Sequence, residues 1–396
     1  MKSLKCSRIA LALLLFLSLP GLLPAQTLLH RYSFFSDASD SVGTANGILT
    51  GSSELPVSIN NGLTLIGGFG SQVVQLPSGI ISGATNLTIE CWATQDVPQR
   101  WAAMWSFNTP SLHSFSFAFY PTEINGDMGI EEESMGSISE AQSSSVFPTG
   151  AEVYVVVTFD ATKLLGALYT NGVQIASMTV PSSTYVPGNL ISSTNLNYLG
   201  QDIFSTYSLN PQFAGTIYEF RIWNGVVSPL YQAVSWAAGP AQLVFNLTPT
   251  SVSVNVPGGG MVSGTSAAAT ATANFFNANG VTVTSYVTNW TSSNPSAVTV
   301  SSNGLVMAVA PGSATISATL NGVTGVSSNV TVSSAILPAR GPISITTSRT
   351  NIVLSWTSGT LVQGPSLTGP WTTNSAAVSP YTTAIGKGNQ FFKLAQ

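Results

Sequence analysis

Charge is scarce in this 396-residue chain, and one long stretch has none. Only 7% of residues are Asp, Glu, Lys or Arg, and none occurs from Ile222 to Ala339. That stretch must stay hydrated through Ser, Thr and Asn. All fifteen acids lie between Asp37 and Glu219, so an acidic first part precedes a near-neutral remainder. A nucleic-acid partner is excluded, because binding the phosphate backbone needs a basic patch. Long apolar runs are also missing, except for Ile9 to Leu19. That run is too short to span a bilayer. Lys2, Lys5 and Arg8 precede it; Pro20 and Ala25 follow it. The pattern reads as a secretory signal peptide over residues 1–25, cut after Ala25, with an uncleaved anchor as the alternative. After its loss, eight basic and fifteen acidic side chains remain, a balance of −7.

Cysteine and histidine are nearly absent. Beyond the apolar run only Cys91 remains, so no internal disulfide can form despite the export signal. In LTIECWA, period two puts Leu87, Ile89, Cys91 and Ala93 on one strand face, which predicts a small buried hydrophobe at Cys91. A catalytic thiol would need a positioned histidine, and only His30 and His113 exist. Neither lies near a G-x-S-x-G nucleophile motif. No His/Cys cluster has metal-ligand spacing, and no Gly-rich phosphate loop follows a strand. No catalytic residue is therefore assigned.

What is present is β pattern. Long helical periodicity is missing, and short β-branched or aromatic runs alternate with Gly, Pro, Asn and Ser. The chain reads as all-β, with a length that suits two or three domains. In EVYVVVTFDATKLLGALYTNGVQIASMTV, Asn171-Gly172 separates two strand patterns, which is a strong hairpin signal because both turn residues need positive φ. In GTIYEFRIWNGVVSPLYQAVSWAAGP, alternation places Tyr218, Phe220 and Ile222 on one face and Glu219 and Arg221 on the other, where they can pair. Ser228 caps a short helix that begins at Pro229 and stops at Gly239.

This hairpin, together with HRYSF, LTIECWA and GTIYEFRIWNG in that order, resembles the laminin G-like, concanavalin A-like jelly roll of bacterial secreted proteins, over residues 27–240. The resemblance implies two antiparallel sheets packed face to face. It also implies a structural calcium ion (Ca2+) held by an Asp just before the Glu of the last strand. Here that position is Tyr218, and a phenol is a poor ligand for a hard cation. Asp37 or Asp40, in SDASDSVG, could hold an ion with backbone carbonyls; otherwise Asp37, Asp40 and Ser41 organise a turn.

Many such jelly rolls are glycoside hydrolases, which need two carboxylates about 5–10 Å apart. The ExDxE pattern of the endoglucanase relatives is missing. The acid cluster INGDMGIEEES, with Asp127, Glu131, Glu132 and Glu133, reads first as a solvated loop or edge strand, then as a cation site, then as catalytic acids. Phe115, Phe117 and Phe119 alternate as core residues do. Trp101 beside Arg100, in a turn after Pro98, is the candidate exposed sugar contact.

Residues 243–335 show short strands separated by turn signals, and WTSSNPSAVTVSSNGLVMAVAPGSATISA resembles the bacterial Ig-like domain of group two. Trp290, Val298, Val300, Ile316 and Ala318 are the expected core. The resemblance implies a spacer or adhesion module. Residues 342–396 resemble a short, fibronectin type III-like C-terminal β-module. The expected protein is secreted and non-catalytic. Its jelly roll binds an extracellular polysaccharide or a cell-surface glycan or protein, and its Ig-like modules act as the stalk. The alternatives are a glycan-active hydrolase with loop carboxylates and a purely structural surface protein.

Overall fold

The computed structural model describes residues 26–112, 115–123, 125–126, 128–134, 137–182, 186–189, 194, 196–334, 342–386 and 388–395. The signal segment, His113 and Asp127 lie outside them.

The first part is a jelly roll. Its strands in chain order are β1 (Thr27–Tyr32), β2 (Ile48–Thr50), β3 (Ser58–Ile59), β4 (Leu63–Gly68) and β5 (Val73–Leu76), then β6 (Asn86–Val97), β7 (Trp105–Asn108), β8 (Phe115–Tyr120), β9 (Gly129–Ser134) and β10 (Ser137–Gln142). There follow β11 (Val153–Asp160), β12 (Leu165–Thr170), β13 (Val173–Thr179), β14 (Leu196–Leu199) and β15 (Gln212–Asn224). Two short helices, α1 (Ile203–Thr206) and α2 (Pro229–Ala238), flank β15. One sheet runs β13-β12-β11-β6-β15-β4-β3, with β1 also on β15; the other runs β10-β9-β8-β7-β14-β5-β2. Between them lies the core. It includes Ile89, Cys91, Ala93, Trp105, Phe107, Phe115, Phe117, Phe119, Phe220 and Ile222. The predicted alternation of LTIECWA and of the three phenylalanines is what aims them inward. Burial pushes the Cys91 thiol up, and its Sγ lies 3.6 Å from the Met104 sulfur. The hairpin turn at Asn171-Gly172 has φ of 50° and 81°, as that sequence demands.

Two expectations are corrected. The acids at 131–133 form neither a loop nor an edge, because β9 lies between β8 and β10. Glu132 pairs with Phe117 and is fully buried, while Glu131 pairs with Ala118 and is half-buried. Tyr218 does not share a face with Phe220 and Ile222. The register of β15 against β6 shifts between Ile217 and Glu219, a β-bulge that absorbs Tyr218. Ile217 takes the core-facing position instead, and Tyr218 packs with the side chains outside the sheet.

The second part is the Ig-like sandwich, built from small antiparallel sheets such as Asn289–Ser292 with Ile316–Leu320 and Val323–Val326. Trp290, Val298, Ile316 and Ala318 are buried in its core, with Val300 packed against them half-buried. That core is continuous with Tyr231 and Val234 of α2 and with Trp92 and Tyr154 on the outer face of the jelly roll. The Tyr286 hydroxyl also donates to the Pro229 carbonyl at 3.3 Å. The tail carries two further three-stranded sheets around Leu354, Leu361 and Leu394. The described residues are thus all-β apart from short helices, a jelly roll followed by an Ig-like sandwich.

Candidate functional site

The last strand of the jelly roll organises the candidate site. The first half of β15 pairs with β4 up to Ile217, and its second half pairs with β1 from Phe220 onward. Tyr218 and Glu219 fall in the gap where one partner strand gives way to the other. A cleft of about 360 Å³ opens there, lined by Arg31, Ser33, Phe35, Asn61, Tyr218, Glu219, Pro240 and Ala241. Asn61 comes just before β4; Ser33 and Phe35 come just after β1. Pro240 and Ala241 belong to the chain leaving α2.

Beside the cleft lies a buried ionic network. Arg31 and Arg221 stand directly opposite each other on β1 and β15, an unfavourable pairing for like charges. Glu219 resolves it. Its Oε1 accepts from Arg31 Nε at 2.5 Å and from Arg221 Nε at 2.7 Å. Arg221 also donates to the carbonyls of Pro240 and Gln242, at 2.6 and 2.7 Å, and Arg31 to that of Ala241 at 3.3 Å. The network therefore holds the linker backbone against the sheet. Burial pulls the Arg221 pKa down, but the charges of Glu90 and Glu219 outweigh it and hold it above its usual value.

Glu90, fully buried on β6, completes the arrangement. It accepts from Tyr154 Oη, from Trp223 Nε1 at 2.5 Å, from Ser235 Oγ at 3.1 Å and from Tyr231 Oη at 3.2 Å. Trp236, Tyr154 and Trp92 stack in succession, and the Arg221 guanidinium lies 4.5 Å from the Trp92 ring. A carboxylate with this many donors fastens α2 to the sheet. The predicted helix ends are present: Ser228 accepts from Tyr231 N at 3.1 Å, and Gly239 has φ of 82°.

Tyr218 and Glu219, singled out from sequence, line this cleft, whereas Trp101, Arg100, Asp37 and Asp40 do not. Trp101 is 39% exposed with φ of 62°, and the Arg100 guanidinium sits 4.0 Å from its ring centroid. The backbone N–H of Trp101 donates to the Thr122 carbonyl at 2.9 Å, and Gln99 in the same loop reaches Gly68 N at 3.3 Å. The loop thus meets the far end of β4 from Asn61. Six residues of strand at ~3.3 Å each put the Trp101 loop roughly 20 Å from the cleft.

Asp40 organises a turn. Its carboxylate accepts from His30 Nδ1 at 2.7 Å and from the backbone N–H groups of Arg31, Val42 and Ala45. Burial pushes its pKa up, but the hydrogen bonds from His30 and from the backbone at Gly43, Arg31 and Val42 win and hold it at about 2. Asp37 is exposed and accepts from Ser39 N and Oγ, which lowers its pKa. Asp37 and Asp40 are thus each engaged by donors of their own loop or of β1. Among the described residues no group of three His, Cys, Asp or Glu side chains is placed to hold a metal ion. Sequence reasoning missed Ser33, Phe35 and Asn61, because only the meeting of β1, β4 and β15 brings them together.

Residues 67–230 match the concanavalin A-like lectin/glucanases superfamily, and residues 245–332 match the bacterial Ig-like domain of group 2. No curated protein matches the chain. Three solved structures among those that match illustrate the structural likeness. The CBM40 of the Ruminococcus gnavus IT-sialidase bound to alpha2,3 sialyllactose is 14% identical, over 42% of this chain and 92% of that one, with a TM-score of 0.35. The binding domain of Botulinum neurotoxin DC in complex with rat synaptotagmin II is 11% identical, over 93% and 99%, with a TM-score of 0.40. A putative carbohydrate binding protein from Bacteroides ovatus is 16% identical, over 37% and 39%, with a TM-score of 0.27. These scores do not bear on what this chain binds. The family matches agree with the two sandwiches just described: the chain carries a concanavalin A-like lectin/glucanase-superfamily domain followed by a group 2 bacterial Ig-like domain.

Proposed function

We propose that this is an exported, non-catalytic binding protein whose jelly roll takes an extracellular carbohydrate and whose Ig-like domain acts as a spacer. The observation that carries this reading is Trp101. An indole is held at the surface on a positive-φ turn, with the Arg100 guanidinium on one side of its ring. Sugar rings stack on such aromatic faces through their C–H groups, and a neighbouring guanidinium can donate to their hydroxyls. The superfamily match, which joins lectins with glucanases, supports the choice of ligand class. A hydrolase would need two facing carboxylates. Glu132, the middle acid of the cluster at 131–133, is turned toward the core beside Phe117, away from any substrate. The test is affinity electrophoresis of the intact chain through gels holding soluble polysaccharides. Retardation by at least one of them, reduced at least fivefold in Trp101→Ala, is the expected result. Equal mobility of wild type and Trp101→Ala in every gel would remove the indole from the reading.

A further inference from the structure

The cleft beside Tyr218 has features that the account of Trp101 does not use. Phe34 and Phe35 are adjacent, yet one is fully buried and the other is 72% exposed. Phe34 achieves this with φ of 47°, an uncommon conformation for a bulky side chain. Asn61, beside Phe35 in the lining, has φ of 52°. Two hydrogen bonds lock these turns together: Asn61 N donates to the Phe35 carbonyl at 3.1 Å, and Gly62 N donates to the Phe34 carbonyl at 2.9 Å. Unfavourable backbone persists where the surroundings over-determine it, and such places cluster at ligand sites. Here the outcome is a phenyl ring held out over a preformed hollow.

The lining chemistry selects the ligand. Phe35, Tyr218, Pro240 and Ala241 supply apolar wall, and Ser33 and Asn61 supply neutral hydrogen-bonding groups. The two charged residues in the lining, Arg31 and Glu219, are paired with each other. The wider network balances too, with Arg31 and Arg221 against Glu219 and Glu90. No net charge is left to hold an ionic ligand. The volume is at the small end of the range of about 300–1,000 Å³ for small-molecule sites. We infer that this cleft is a second carbohydrate site, for one uncharged pyranose unit of a glycan chain, stacked on Phe35 and Tyr218 and hydrogen-bonded by Asn61 and Ser33. The inference rests on the proposed carbohydrate-binding role and adds a site roughly 20 Å from Trp101. Pro240 and Ala241 form one wall, so the site is complete only while Arg31 and Arg221 hold the linker.

The test uses the intact chain and three probes: β-1,4-linked hexamers of glucose, of xylose and of N-acetylglucosamine. Association is measured by saturation-transfer NMR for wild type, Phe35→Ala, Phe35→Trp and Trp101→Ala. Phe35 is exposed, so its substitution leaves the fold intact, which a thermal melt checks. The expected result is a severalfold loss of transfer from one hexamer in Phe35→Ala, with the remainder carried by the Trp101 site, and recovery in Phe35→Trp. Unchanged transfer in Phe35→Ala with loss in Trp101→Ala would overturn the second site and leave the proposed function standing. No transfer to any hexamer in wild type would overturn the uncharged-pyranose assignment, while retardation in the polysaccharide gels would still decide the broader role separately.

Discussion

Two carboxylates show how environment decides a residue's work. Asp40 sits among N–H donors and a histidine, with its pKa held at about 2, below the unfolded value of 3.8. A depressed carboxyl stabilises the fold above its unfolded pKa, and that stability is lost as pH falls through the folded value. Unfolding free energy from urea titrations should therefore decline between about pH 4 and pH 2, by on the order of 2 kcal/mol from this residue. Asp40→Asn should remove most of that slope. Glu90 is the buried counterpart. Glu90→Ala would strand the hydroxyls of Tyr154 and Tyr231 and the indole N–H of Trp223. The expected cost is about 3–5 kcal/mol, read as a lower urea midpoint. Glu90 was not legible in the sequence as anything but an inward or outward strand residue. Its partners come from positions 154, 223, 231 and 235, which only the packing of α2 on the sheet brings together. The burial of Cys91 and of Phe115, Phe117 and Phe119 was legible, because period-two alternation is a local property of the chain.

Among the elements, β15 carries most of the argument. Alternation foresaw the pairing of Glu219 with Arg221, and capping chemistry foresaw both ends of α2. The bulge at Tyr218 was not legible. Bulges are often marked by glycine in the left-handed region, and no such mark stands at 218. The bulge keeps both Ile217 and Phe220 on the core side, so removing its extra residue and replacing it should be tolerated alike. Deleting Tyr218 would leave Ile217 opposite Ala93 and Glu219 opposite Trp92 in plain alternation, and the jelly roll should still unfold cooperatively. Tyr218→Ala keeps the register and should leave the melting temperature within a few degrees. Circular dichroism melts read both. The acids of β9 teach a related lesson. Three consecutive acids read as solvated, but the strand is interior and Glu132 follows the pleat inward beside Phe117.

At the scale of the whole molecule, the jelly roll and the Ig-like domain are joined by more than a tether. Arg221 and Arg31 hold the carbonyls of Pro240, Ala241 and Gln242, and α2 packs into a core shared with the Ig-like sandwich. Arg221→Ala should free that backbone and speed proteolysis between residues 240 and 247 severalfold, as read by limited digestion and mass spectrometry. The fold classes of both parts were legible from turn signals and strand lengths. The cleft between β1, β4 and the linker was not, because its residues are spread over positions 31 to 241. The central claim is that the jelly roll holds carbohydrate without cleaving it. The most direct test is retention of the intact chain on a panel of insoluble and immobilised polysaccharides, with the supernatants assayed for released reducing sugar. The account predicts retention on at least one polysaccharide with no sugar released; release of sugar, or no retention anywhere on the panel, would contradict it.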